Sequence, residues 1–141
     1  MILVDTNVIS EPLRKTPDRR VVEWLDAQPI ETLYLSAITV AELRFGVASL
    51  PTGKCRHRLH ENFETRVLPL FAGRILAFDL PASQAYADLM SRARAEGTAI
   101  AADGYIAATA AANKMAVATR DTAAFEAAAV SVINPWHHTQ G

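Results

Sequence analysis

A three-layer α/β/α sandwich around a central parallel sheet is the fold class this sequence predicts, and two observations predict it. Short apolar runs recur along the chain: ILV at 2–4, TLYLS at 32–36, RILAF at 74–78, MAVAT at 115–119 and VSVI at 130–133. Segments of helix length separate them, which is the crossover connection that parallel strands need. The chain has 141 residues, half of them apolar, enough for one core, so residues 1–141 read as a single domain.

The elements follow in order. The first strand runs into Asp5, Thr6 and Asn7 with no basic residue nearer in sequence than Arg14. A helix starts at Asp18, after Pro17, carries VVEWLDA and closes at Pro29; ITVAELRFGVASL forms the next and stops before Pro51 and Gly53. A longer helix is predicted from about Lys54 to Phe71, with Pro69 disturbing its end and Gly73 ending it. PASQAYADLMSRARAEG places Pro81 in a first turn and Gly97 just past the last. Asp103 to Asn113 forms the last long helix, and DTAAFEAA a short one capped by Asp121 or Thr122. Residues 99–129 are rich in alanine, whose small side chains let a helix lie close to the sheet.

Charge restricts the function classes. Lys and Arg number 14 against 15 Asp and Glu, a net charge of −1, so bulk positive charge is not how this protein would hold a nucleic acid. Local basic clusters exist at Arg14, Lys15, Arg19 and Arg20, and at Lys54, Arg56 and Arg58 with His57 and His60. Each also reads as a solvated helix face. Cys55 is the only cysteine, which excludes an internal disulfide and a cysteine-based zinc site and fits a reducing cytoplasm. Asp5 interrupts the N-terminal apolar stretch and no run reaches membrane-span length, so a cytoplasmic protein with no membrane partner is expected.

Four acids occupy places where apolar or neutral residues would be ordinary. Asp5 and Asp121 follow strands; Asp103 opens the helix that continues through Ile106, Ala107 and Ala110; Glu42 is embedded in ITVAELRFGV. Helical spacing puts Val40, Leu43, Val47 and Leu50 on one side of Glu42 and Ile38, Ala41, Phe45 and Ala48 on the other, so Glu42 is expected to look out of a crevice. Singly, Asp5, Asp103 and Asp121 also read as helix caps. Together they point further, because ligands of an open parallel sheet bind beyond the carboxyl ends of the strands. Four carboxylates there would raise one another's proton affinity unless a cation offset them. Oxygen-only ligands favour Mg²⁺ or Mn²⁺ over zinc. Such a centre supports attack of water on a phosphodiester. Asp79, also at a strand end, is followed by Pro81 and is assigned to starting the next helix.

DTNVIS at the start, TVAELRFG around Glu42, AADGYIAATA around Asp103 and ATRDTAAF around Asp121 resemble the PIN-domain ribonucleases, specifically the VapC-type toxins of bacterial type II toxin–antitoxin pairs. INPW and LPLFAGRIL look most like the FitB branch. The resemblance spans essentially the whole chain, with no departure from the four-acid pattern. It implies a PIN-like fold and an endoribonuclease in which Asp5, Glu42, Asp103 and Asp121 hold Mg²⁺ or Mn²⁺. Thr6, Asn7 and Thr119 match supporting positions of the family's site. It also implies a homodimer, a VapB- or FitA-like antitoxin whose basic side chain can enter the acid cluster, a larger hetero-oligomer with that antitoxin, and operator DNA bound through it.

Other residues carry competing roles. Arg120, between Thr119 and Asp121, either steers phosphate or pairs with a carboxylate. Trp24 reads as core and Trp136 as an anchor for the C-terminus; His137 and His138 read as tail. Three other functions suit some of the same residues: a phosphatase with Asp5 as nucleophile, although Asn7 stands where a second Asp would be needed and Glu42 has no role; a non-catalytic interaction module of a DNA-binding complex, whose acidic pocket docks a basic partner tail; and a nuclease acting on DNA.

Overall fold

The computed structural model describes residues 1–97 and 103–139. Five strands, β1 (Ile2–Val4), β2 (Leu33–Ser36), β3 (Ile75–Leu76), β4 (Ala116–Ala118) and β5 (Val132–Ile133), form one sheet in the order β3-β2-β1-β4-β5. Every pairing is parallel. Apart from β1, which matches its run, the strands are shorter than the apolar runs that announced them. Alternation then sorts their side chains: Val4, Leu33, Leu35 and Ala118 enter the core on one face, Leu3 and Val117 the core on the other.

Helices cover both faces, as the three-layer expectation requires. On the first lie α1 (Thr6–Ser10), α2 (Arg19–Ala27), α3 (Ala37–Ala48) and α4 (Lys54–Asn62), which bring Val8, Val21, Trp24, Val40 and Leu43 to the core that Phe63 completes. On the second lie α5 (Leu80–Ala95), α6 (Asp103–Ala112) and α7 (Thr122–Ala127), contributing Leu89, Ile106, Ala107, Ala110 and Phe125. Burial of Ala107, Ala108 and Ala110 is the close approach that the alanine content predicted; Ala101 and Ala102 of the same motif lie outside the described residues. Caps set several ends: Asp18 accepts from Arg20 N, Ser36 from Thr39 N and Asp79 from Ala82 N. Gly97, with φ +70°, ends α5 in the left-handed region that favours glycine.

Three features differ from the sequence expectation. Helix α1 fits the cap reading of Asp5, whose carboxylate accepts from Thr6 N, but its extent was not foreseen, because five residues are too few to display a period. The helix expected over Lys54 to Phe71 changes pitch twice, from α to π over Phe63–Val67 and to 3-10 over Leu68–Phe71. Pro69 has no N–H for an α ladder, and the altered pitch accompanies burial of both Phe63 and Phe71 in one core. Glu11 is the third. It is only 3% exposed, although its PLRK surroundings look like surface. Its carboxylate accepts from Asp18 N (3.0 Å) and Arg14 Nη1 (3.0 Å), which ties α1 to the start of α2. No helix among the described residues is long and apolar enough to cross a membrane.

Candidate active site

The sheet order changes direction at β1: β2 and β3 lie to one side of it, β4 and β5 to the other. Register aligns Val4 with Ala118, so the next residues, Asp5 and Thr119, emerge together at the carboxyl ends of the two central strands. Asp5 N extends the ladder by donating to Ala118 O (2.9 Å). This is where an open parallel sheet leaves a crevice.

Asp5 is 3% exposed. One carboxylate oxygen accepts from Thr6 N (2.8 Å) and the other from the Thr119 hydroxyl (2.8 Å), while Thr119 Oγ1 itself accepts from Asp121 N (3.0 Å). Thr119 therefore couples two of the acids through one fully buried oxygen. Burial raises the Asp5 pKa; the Thr119 and Thr6 hydrogen bonds work against that rise, and the charges of Glu42 and Asp121 add to it.

Glu42 is not in the crevice that the sequence suggested. Leu43 and Val40 are buried, and Ile38 packs partly against the second core, but Ala41, Phe45 and Ala48 are exposed, Phe45 by 74%, so one of the two apolar faces is covered only at its start and Glu42 stands exposed beside it. What orients Glu42 is the Thr6 hydroxyl, which donates to Oε1 (2.7 Å). With that proton engaged, the Thr39 hydroxyl, 3.4 Å from Thr6 Oγ1, is left to donate to Thr6, and Ser36 donates to Thr39 (3.1 Å). Ser36 and Thr39 are both fully buried. This hydroxyl row from the end of β2 to Glu42 was missed from sequence, although Thr39 shares a helical stripe with Glu42.

Asp103 heads α6, and it shares a side-chain hydrogen bond with Asp121. Burial, that hydrogen bond and the charges of Asp5, Asp121 and Glu42 push its pKa up to about 7. All four acids thus lie in one electrostatic neighbourhood, and the largest influences on Asp103 are burial and the other acids. Asp121 occupies the N-cap position of α7 without making a side-chain cap bond, so capping does not account for its carboxylate. Asn7 Oδ1 accepts from Arg120 N (3.3 Å). The Arg120 guanidinium lies 5.0 Å from the ring centroid of Trp136, which is buried.

The donor set suits a hard divalent ion: the four acids and the Thr6 and Thr119 hydroxyls offer oxygen, and Asp103 keeps a proton up to about pH 7. Among the described residues no three His, Cys, Asp or Glu side chains are gathered tightly enough to ligate an ion as they stand.

A pH dependence follows. Between 3.8 and about 7 the folded chain retains a proton on Asp103 that the unfolded chain has released. This stabilisation is complete below the unfolded value and is lost as pH rises through about 7. In EDTA the melting midpoint is expected to fall across that window, and Mn²⁺ is expected to flatten the slope; parallel curves with and without Mn²⁺ would contradict it.

A cleft of about 770 Å³ begins at Thr6 and Glu42 and is floored by Leu13, Leu43, Leu50 and Leu59, with Arg14, Lys15 and Arg58 among its lining. Arg14 and Lys15 of one basic cluster meet Arg58 of the other there, while Arg56, His57 and His60 line a separate pocket. Arg19 and Arg20 do not join them, being engaged by Glu23 and Asp18.

Comparison with known proteins gives one consistent result. The family model described as PIN domain matches residues 2–130. The chain is 62% identical over 138 residues to Toxin FitB of Neisseria gonorrhoeae, covering 97% of this chain and 99% of that protein. It is 61% identical over 137 residues to VapC ribonuclease Y4jK of Sinorhizobium fredii, covering 96% and 98%. Among solved structures it superposes on FitAcB from Neisseria gonorrhoeae with a TM-score of 0.94 (62% identity, 97% of this chain, 99% of that chain). On FitAB bound to an IR36 DNA fragment the TM-score is 0.95 (60% identity, 99% of each).

Proposed function

Because the chain belongs to the PIN-domain family, alongside toxins of the VapC and FitB kind, we propose that it is the toxin of a bacterial type II toxin–antitoxin pair. Its activity is hydrolysis of RNA phosphodiester bonds within a strand, dependent on Mg²⁺ or Mn²⁺. The observation that carries this reading is the electrostatic neighbourhood that Asp5, Glu42, Asp103 and Asp121 share beyond the strand ends.

These four side chains would hold the cation. When bound, it supplies charge compensation to a phosphodiester under attack and lowers the proton affinity of the attacking water. The chain's own residues prepare the place. Thr119 and Thr6 N fix both oxygens of Asp5. The Thr6 hydroxyl holds Glu42 toward the cluster. Asp103, raised to about 7, keeps its proton below that pH and offers a carboxylate above it.

The partners follow from the relatives. FitAcB and DNA-bound FitAB have been solved as such; for this chain we assign a small FitA- or VapB-like antitoxin, a homodimer, a larger hetero-oligomer with the antitoxin, and operator DNA held through it. The cation-lined cleft leading to Glu42 is open to an RNA strand or to an antitoxin segment.

The test is incubation of the purified chain with single-stranded RNA and a matched DNA oligonucleotide, with Mn²⁺ or Mg²⁺ and then with EDTA. RNA scission that EDTA abolishes is the expected result, and RNA left intact under both ions would overturn the reading. One observation favours a second reading: the acids are not pre-arranged as ligands. A non-catalytic module whose acidic pocket docks a basic tail would bind that tail tightly and leave RNA whole.

A further inference from the structure

Arg120 differs from the other arginines that this fold holds in place. Its chain neighbours Thr119 and Asp121 both belong to the acid cluster, and its own N–H is pinned to Asn7 Oδ1. The main chain there is anchored at the strand ends. The side chain is anchored too, over the ring of Trp136, which is 6% exposed and part of the core.

Yet the charged end is unsatisfied. Among the described residues no carboxylate, carbonyl or hydroxyl accepts from the Arg120 guanidinium, whereas Arg14, Arg19, Arg20 and Arg44 grip Glu11, Glu23, Asp18 and Glu64. Asp18 feels the Arg120 charge, but Arg20 already occupies both of its oxygens (2.9 and 3.1 Å). A guanidinium attracted to an aromatic face keeps its N–H fork available for a planar or tetrahedral oxyanion. Holding the cation over a rigid ring in advance also reduces the entropy lost when the anion arrives.

A nucleic-acid strand entering four carboxylates is repelled unless positive charge stands near its other phosphates. We propose that Arg120, held over Trp136, binds a backbone phosphate of single-stranded RNA next to the one at the acid cluster and so sets the register of the strand; this rests on the nuclease reading of the site. The contact is to phosphate, so it carries no base preference.

Arg120→Leu keeps an apolar side chain against Trp136 and removes the charge; Arg120→Lys keeps the charge without the fork. Binding of a 5′-labelled single-stranded RNA oligonucleotide is measured in EDTA over a salt series, with melting midpoints on the same samples, and KM and kcat for RNA cleavage are measured separately with Mn²⁺. Arg120→Leu is expected to weaken binding about tenfold, the scale of one charge-assisted hydrogen-bonded contact. Its log–log salt slope should be shallower by about 0.7, as for one lost phosphate on a single strand. KM should rise by the same factor with kcat and the melting midpoint unchanged, and Arg120→Lys should restore the slope but only part of the affinity. Unchanged affinity and slope would overturn the proposal, as would a lowered melting midpoint with kcat and KM both impaired, the mark of a structural pin. The binding arm contains no metal and reads no cleavage, so the two readings fail separately. Wild-type protein that leaves RNA intact while Arg120→Leu loses affinity and slope keeps the phosphate site and removes the nuclease; wild-type protein that cuts RNA as Arg120→Leu behaves identically does the reverse.

Discussion

Asp103→Asn is expected to remove more than 99% of RNA cleavage while making the metal-free protein more stable. Asp103 suffers burial and three neighbouring acids, and it avoids ionisation only by keeping a proton up to about pH 7. Asparagine retains the shape and a hydrogen-bond donor toward Asp121 at every pH, but it cannot become the carboxylate that a hard cation needs. Loss of an outer-sphere partner commonly reduces activity about 10- to 100-fold, and loss of a direct ligand should exceed that. The stability gain builds between pH 3.8 and about 7, where the unfolded wild-type chain has already ionised Asp103, and is full above 7. Because Asp103 is partly solvated, screening reduces the gain to about 1 kcal/mol, or about 2 to 4 °C in melting midpoint for a chain of this size. Thermal melts in EDTA at pH 8, run beside cleavage assays with Mn²⁺, check both halves. Retained cleavage would remove Asp103 from the mechanism, and a lowered midpoint would contradict the electrostatic account.

Thr119→Val is expected to harm both properties at once. Valine has the same shape and fills the same fully buried space, but it withdraws a donor from Asp5 and an acceptor from Asp121 N. Leaving buried polar groups without partners costs about 1–3 kcal/mol. The pKa of Asp5, already raised by burial, would climb further without the hydrogen bond that now opposes it. Cleavage should fall about 10- to 100-fold, in the range of other supporting contacts. Thr119→Ser should restore most of the activity, since the hydroxyl and not the methyl serves the acids. A valine variant with wild-type cleavage and stability would show that Asp5 needs no help from Thr119.

What the sequence disclosed depended on whether a local pattern existed. Parallel strands with crossover helices were legible because ILV, TLYLS and MAVAT are continuous apolar runs bounded by polar residues. The four acids stood out because each interrupts such a run or follows it. The Glu42 environment was misjudged for a physical reason: helical spacing tells which residues share a face, not whether a neighbour covers it, and the face with Phe45 is covered only at its start. The Glu11–Arg14 pair has a spacing a sequence shows, but the burial of Glu11 was invisible because its other partner, Asp18 N, is a main-chain group that no sequence pattern marks. Likewise the row from Ser36 through Thr39 to Thr6 joins residues 33 positions apart, a closeness that only the β1–β2 pairing creates.

The clasp between Asp5 and Thr119 spans 114 residues of chain. Strand β1 is made first, yet its partner β4 leaves the ribosome only after most of the chain has been synthesised. A nascent polypeptide stopped before Thr119 therefore presents Asp5 without its buried hydroxyl and lacks Asp121 altogether. Any chemistry that needs the assembled acid cluster is withheld until translation of the chain is nearly finished.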